Sequence, residues 1–240
     1  MELSPQAAAT WARQRLIVTL VACLLIVPAL EAGAGLLVVN PAVAGADDAN
    51  PGNPEQPLKT IGAALRRIEP GQTVRIHGGI YREQLELTRS GTEAAPVVIE
   101  GAAGERVVIN GAEIVTGWRR VEPGAPGERD SGVQIYAAEL EWRPSAVFVD
   151  GRPGLRASHR HPHRPGEYAL EESAGGCRLM LAVSAGQDIE SLRVEAARRA
   201  FGLVGREVSY VTIRGLEVAY VAGSGIGFGG GKGNVIEQCV

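Results

Sequence analysis

Between Gln72 and Val115 the chain repeats one local pattern. Short apolar runs, Val74-Arg75-Ile76, Leu85-Glu86-Leu87, Val97-Val98-Ile99 and Val107-Val108-Ile109, are divided by Gly78-Gly79, Ser90-Gly91, Gly101, Gly104 and Gly111. Runs this short cannot form amphipathic helices and fit short strands. Val74 to Val97 is a step of 23; Leu85 to Val107 and Leu87 to Ile109 are steps of 22. Recurrence near this period marks repeat architectures. The expected fold is all-β, a parallel solenoid with coils about 4.8 Å apart. Its apolar side chains would stack in columns down the interior.

The pattern returns at Val208 to Val218, where Ile213 to Ile236 and Leu216 to Cys239 are again steps of 23. Gly223 to Gly233 reads as a further strand and corner. The sequence then stops within Asn234 to Val240 in what reads as mid-strand, which predicts an N-terminal fragment of a longer protein. Between the two patterned regions, Pro123 to Asp130 has the composition of a linker or exposed loop. Strand-like pieces follow at Ala146 to Val149, Arg178 to Val183 and Ser191 to Glu195, and Asp150-Gly151 fits a hairpin turn. The expected organisation is 1–34 leader, 35–122 cap and first coils, 123–200 inserted β-rich subdomain, and 201–240 resumed coils.

Met1 to Ala34 reads as an export signal. Arg13 and Arg15 supply a basic start, Leu16 to Leu30 an apolar stretch, and Ala32-Gly33-Ala34 a small-residue cleavage site. The apolar run is shorter than the ~20 residues of a spanning helix. The expectation is a secreted or periplasmic protein with no stable membrane insertion after cleavage. A net charge of -3 gives no electrostatic footprint for nucleic acid. Outside the leader, Cys177 and Cys239 match no metal-ligand spacing. They fit either unpaired thiols or, in an oxidising compartment, a disulfide.

Leu58, Ile61, Leu65 and Ile68 share one face of a short helix over Pro57 to Ile68, which Glu69-Pro70-Gly71 stops. Placed before the first coil, this helix is suited to cap an open solenoid end. The segments GADDANPGNPEQPLKTIGAAL, GQTVRIHGGIYRE and APVVIEGAAGERVVINGA together resemble the start of secreted right-handed parallel β-helix proteins. That group includes pectate-lyase-like polysaccharide lyases and glycoside hydrolase relatives. The resemblance covers Leu36 to about Glu122 and resumes near Phe201. It implies a right-handed solenoid, a VFVDG-like insertion near the substrate groove, a coil corner at Tyr81-Arg82-Glu83, and an active groove on middle and later coils, most of which would lie beyond Val240.

Several residues are chemically eligible for a site. Three histidines, His159, His161 and His163, fall within five residues. On an extended strand they would face one way. Such a set can contact substrate, bind zinc or copper, or decorate an exposed loop. Asp47 and Asp48 lie in an oxygen-rich loop that suits Ca2+, or they serve as loop and capping carboxylates. Lys232 and Arg214 could act as the base, or neutralise a uronate, in β-elimination. His77 reads as a corner residue. Glu171, Glu172, Glu217 and Glu237 are available for a hydrolytic carboxylate pair. The resulting expectation is an exported protein acting on a polysaccharide or oligosaccharide by β-elimination or hydrolysis. The alternative is a glycan-binding or structural surface solenoid.

Overall fold

The computed structural model describes residues 35–122, 132–158 and 160–240. The expected leader, the Pro123 to Asp130 linker and His159 lie outside the described residues. The first strand, β1 (Leu36–Val39), is followed by helix α1 (Ile61–Arg67). Then come β2 (Thr73–Ile76), β3 (Gly79–Tyr81), β4 (Leu85–Leu87), β5 (Val97–Gly101) and β6 (Val107–Asn110). The middle of the chain forms β7 (Ala112–Ile114), β8 (Arg119–Arg120), β9 (Val133–Leu140), β10 (Val147–Val149) and β11 (Arg152–Pro153). It continues with β12 (Leu155–Arg156), β13 (Glu167–Ser173), β14 (Gly176–Ser184) and β15 (Val194–Ala197). The last strands are β16 (Leu203–Arg206), β17 (Val211–Arg214), β18 (Glu217–Ala219), β19 (Ile226–Gly229) and β20 (Val235–Glu237). The described residues are thus almost entirely β, as expected.

Three sheets are built of parallel pairs, in the orders β1-β2-β5-β17-β20, β3-β6-β18 and β4-β16-β19. The chain visits them in rotation: β2, β3, β4, then β5, β6, β16, then β17, β18, β19. Between β6 and β16 it builds two mainly antiparallel sheets, β11-β10-β15-β7 and β12-β13-β14-β9-β8. The parallel stack resumes in register on the strands it left. Val97 to Glu100 of β5 pair with Val211 to Arg214 of β17.

Strands of three or four residues have too few contacts to persist alone. Here a parallel neighbour takes up their backbone groups, on one side for the edge strands and on both sides for β2, β5, β6, β16 and β17. Apolar residues fall into columns along the stack. Leu37, Val74, Ile99, Ile213 and Ile236 are successive partners in the first sheet. Tyr81 and Ile109 are followed by Val218 in the second, and Leu85 and Leu203 by Ile226 in the third. Val74, Ile99, Ile109, Ile213 and Leu203 are fully buried in one shared core. Burying each such aliphatic side chain contributes about 1.5–3 kcal/mol. The column Leu87, Gly205, Phe228 alternates size. A Cβ on Gly205 would meet Phe228 at 3.0 Å and Val208 at 2.5 Å, so glycine makes the room that the phenyl ring fills.

Some expected stacking partners are corrected. Val74 pairs with Ile99 rather than Val97, two residues further along. Leu85 and Leu87 lie in a different sheet from Val107 and Ile109 and stack on Leu203 and Gly205. The apolar runs are near-identical in pattern, so spacing alone does not tell which of three sheets each joins. The pairing of Ile213 with Ile236 is as expected. The corners repeat in the same register. Positive φ recurs at Glu207 and Gly230, at Tyr210 and Gly233, and at Gly215 and Gln238, each pair 23 residues apart.

The helix is shorter than expected. Asp48 accepts from the backbone N–H of both Lys59 and Thr60, at 3.0 and 2.8 Å. This fixes an extended backbone, and Leu58 forms a β-bridge to Val39 instead of a helical turn. Thr60 then caps the helix by accepting from Ala63 N–H. Glu83 adds its two carboxylate oxygens to the N–H groups of Ile61 and Gly62, at 3.0 and 2.9 Å. Leu58, Ile61, Leu65 and Ile68 are all buried. In the antiparallel region, Val149 and Arg152 pair across Asp150-Gly151, whose φ values of 48 and 78° are those of a type I′ turn. The strand expected at Ser191 begins only at Val194, because Ile189–Ser191 is a 3-10 turn capped by Asp188.

Replacing Ile99, at the middle of the first column, with alanine should lower the unfolding free energy by about 2–5 kcal/mol. Urea denaturation followed by circular dichroism measures this. A loss below about 1 kcal/mol would contradict the column's close packing.

Candidate functional site

A cleft of about 350 Å³ opens where the outward face of β3-β6-β18 meets β15 and the β10–β11 turn. The alternation that sends Tyr81 and Ile109 inward sends their neighbours Ile80, Val108 and Glu217 outward as register partners. These form the cleft's floor. Arg193 and Glu195 come from the antiparallel side, with Asp150 and Gly151 at the turn.

Glu195 is the centre of the polar network. It is 2% exposed, yet carries a carboxylate. Its Oε1 accepts from Arg82 Nη2 at 2.7 Å, Asn110 Nδ2 at 3.1 Å and Arg193 Nη2 at 3.3 Å. Its Oε2 lies 3.1 Å from Arg193 Nε. A buried carboxylate is tolerated when charge-assisted hydrogen bonds offset its lost hydration. Arg82 also donates to the carbonyl of Ala112. Asn110, itself buried, accepts from Ala112 N–H at 2.8 Å. The network therefore fixes the point where the chain leaves the parallel stack.

The open part of the cleft is more exposed. Glu217 receives two parallel hydrogen bonds from Arg106, at 2.8 and 2.7 Å. Those bonds raise the already high pKa of Arg106. Arg106 is 72% exposed in its side chain. Tyr220 stands at the wall with φ 58°, its ring centroid 4.1 Å from that of Phe148. Its hydroxyl donates to Gly151 carbonyl at 3.4 Å. Asp150 accepts from Arg193 N–H at 2.9 Å, fixing the turn against β15. Carboxylates, guanidinium groups and an amide around an aromatic wall suit a polyol, whose hydroxyls donate and accept.

The residues singled out from sequence are dispersed. The segment around His161 and His163 forms bends rather than a strand, because Pro162 cannot continue one. His161 and His163 are therefore not aligned by a regular strand. His163 Nδ1 instead lies 3.3 Å from Glu167. Asp48 spends its carboxylate on Lys59 and Thr60; burial alone would raise its pKa, but hydrogen bonds from Thr60 and Lys59 and the charge of Arg66 together lower it. Asp47 accepts from Ala49 N–H. Among the described residues, no three of His, Cys, Asp and Glu come together as a metal site. Lys232 lies 5.7 Å over the Tyr210 ring at an exposed corner, outside the cleft. Cys177 is buried and Cys239 half-buried, and both are free thiols. Arg82 and Glu83 diverge, one to Glu195 and one to the helix.

Arg214 belongs to a ladder on the first sheet, where Arg75, Glu100, Arg214 and Glu237 are register partners. Glu100 Oε1 lies 2.9 Å from Arg75 Nη2 and its Oε2 2.6 Å from Arg214 Nη2. Burial alone would raise the pKa of Glu100. Hydrogen bonds and charge from Arg214 and Arg75 overcome it, and the net shift is downward. Of the carboxylates considered for catalysis, Glu217 reaches the cleft and Glu237 joins this ladder. Glu195 was not among them. Its signal was a lone acid in Val194-Glu195-Ala196-Ala197, an otherwise apolar run.

No family model matches this chain. A stretch of 91 residues is 34% identical to "Pectate lyase PEL9" of Emericella nidulans, over 37% of this chain and 20% of that protein. The structure is similar to one described as the complex of XylC with xylose, with TM-score 0.64 and 19% identity. That match covers 79% of this chain and 36% of the other. A second similar structure is described as a glycoside hydrolase, with TM-score 0.59 and 15% identity over 78% of this chain and 51% of the other. The chain thus shares its β-rich fold with these two structures and spans only part of the length of all three proteins.

Two measurements test the networks. Glu195→Ala should cost about 3–5 kcal/mol, because it leaves partly buried cations unpaired. Arg106→Ala, at an exposed and solvent-screened pair, should cost clearly less. Equal losses in urea denaturation would contradict the burial of Glu195. The lowered Glu100 pKa gives a contribution to stability present above the ordinary glutamate value, about 4.3. That contribution fades as pH falls through the lower folded-state value. Glu100→Gln should flatten this acid limb of a stability–pH curve. An unchanged limb would show that the ladder does not tune Glu100.

Proposed function

We propose that this chain is part of an exported, carbohydrate-active right-handed parallel β-helix protein. The helix α1 caps its first coil, and residues 123–200 form an inserted subdomain. The cleft between the β3-β6-β18 face and the insertion holds an extracellular polysaccharide or oligosaccharide. The observation that carries this reading is the polar cleft itself: Glu217 and Arg106 on the floor, Asp150 at the rim, and the Tyr220 ring as a wall. A pyranose presents hydroxyls to the first group and an apolar face to the ring. The names of the similar proteins, a pectate lyase and a glycoside hydrolase, support the class of ligand. Export through residues 1–34 agrees with a ligand outside the cell. Among the described residues, no helix is long and apolar enough to cross a membrane.

The turnover proposed is β-elimination or glycoside hydrolysis. A second reading, glycan binding without turnover, is favoured by one observation. Glu195 and Glu217 both have their oxygens engaged by arginine.

Full-length secreted protein should be incubated with a panel of neutral and uronate polysaccharides. Unsaturated products absorbing in the ultraviolet report elimination; new reducing ends without them report hydrolysis. Binding by calorimetry without either product would establish the second reading. Tyr220→Ala should weaken binding about tenfold, equivalent to about 1.4 kcal/mol. Absence of both binding and products across the panel would overturn the carbohydrate reading.

A further inference from the structure

Among the described residues, the cleft is lined by three carboxylates, Asp150, Glu195 and Glu217, and by two guanidinium groups, Arg106 and Arg193. Both guanidinium groups are already clasped. Arg106 gives Nε and Nη2 to the two oxygens of Glu217, at 2.8 and 2.7 Å. Arg193 sets the same two atoms against Glu195, at 3.1 and 3.3 Å. Arg82 also spends its charge on Glu195. Asp150 is different. It is exposed at the rim, and one of its oxygens accepts the backbone N–H of Arg193. Among the described residues no arginine or lysine lies within ion-pair distance of it. Arg152 lines the cavity on the other side of the turn. Arg214 is held by Glu100 on the first sheet, and Lys232 lies over Tyr210. The cleft therefore offers carboxylate oxygens to a hydroxyl group and no unpaired cation to an anion.

We propose that the cleft selects neutral glycans over uronates, and that Asp150 and the Arg106–Glu217 pair set the choice. This rests on the carbohydrate reading above and narrows it. Sugar hydroxyls donate to carboxylate oxygens in charge-assisted hydrogen bonds. A uronate carboxylate would instead meet Asp150 as a like charge, an unfavourable juxtaposition. To reach Arg106 it would have to displace Glu217 and leave two carboxylates to one guanidinium. Specificity of this kind comes from rejecting the wrong ligand as much as from holding the right one. The ligand class also bears on the reaction. β-Elimination begins at the proton α to a uronate carboxylate, which a neutral glycan lacks. Of the two reactions proposed above, hydrolysis is the one that a neutral ligand allows.

The test uses the full chain and matched pairs of oligosaccharides. Each pair is a uronate oligomer and the neutral oligomer made from it by reducing its carboxyl groups to hydroxymethyl groups. Neutral oligosaccharides of other linkages complete the set. Affinities are measured by calorimetry with EDTA and again with added Ca2+, because a bound cation would supply the charge that the arginines do not. The wild type should bind the neutral member about tenfold more tightly in both conditions. Asp150→Asn keeps the accepting oxygen and creates Asn-Gly, a pair favoured in this turn. It should lower the ratio about threefold. Glu217→Gln frees Arg106 and should bring the ratio to about one or below. Binding confined to the other neutral oligosaccharides, with no uronate bound, also supports the inference. Equal affinities, or a preference for the uronate in either condition, overturn it and leave the carbohydrate reading standing. A neutral preference that neither substitution moves overturns it as well, since the choice is then made outside the cleft. Binding of no oligosaccharide in the set overturns the carbohydrate reading and this inference with it.

Discussion

The parallel stack depends on in-register pairing between its short strands. A strand of three residues has backbone groups that water would otherwise claim. Each becomes durable only because another strand of the same kind lies beside it. The same register places Val74, Ile99 and Ile213 over one another and closes a single apolar core. Hydrogen bonding and burial are therefore set by one geometric choice. Moving a strand by one residue would turn isoleucines outward and charged partners inward.

The outer face obeys the same rule with different chemistry. Positions that alternate with the apolar columns become the Arg75, Glu100, Arg214, Glu237 ladder on one sheet. On another they become the floor of the cleft, through Val108 and Glu217. The chain leaves the stack after β6 and returns at β16, and the departure is held by Glu195, Arg82 and Asn110. A buried carboxylate is a costly joint unless its partners are all in place. Here it positions β15, and through β15 the Asp150 turn, beside the parallel face.

Much of the β architecture was legible because burial leaves a period in the sequence. Ile213 and Ile236 were placed together by spacing alone, as was the Asp150-Gly151 turn by its residue types. Leu85 and Val107 were not placed correctly, because near-identical apolar runs do not encode which sheet each enters. The site was far less legible. The histidine cluster stands out in composition, but Pro162 breaks the strand that would have aligned it. Glu195 is inconspicuous in sequence, since its partners Arg82 and Asn110 are 113 and 85 residues away. Long-range polar pairs leave no period for a sequence to show.

The most direct measurement of the stacking is a cross-link spanning the antiparallel region. Val98 and Thr212 are 114 residues apart in sequence and register partners in neighbouring strands. Parallel neighbours lie about 4.8 Å apart, within the Cα range of a disulfide. With the native cysteines removed, Val98→Cys paired with Thr212→Cys should form a disulfide on mild oxidation, seen as a linked peptide by mass spectrometry. Glu86→Cys with Thr212→Cys, in different sheets, should not. A protein that folds but links neither pair, or links the second in preference to the first, would contradict the register on which the fold and its cleft rest.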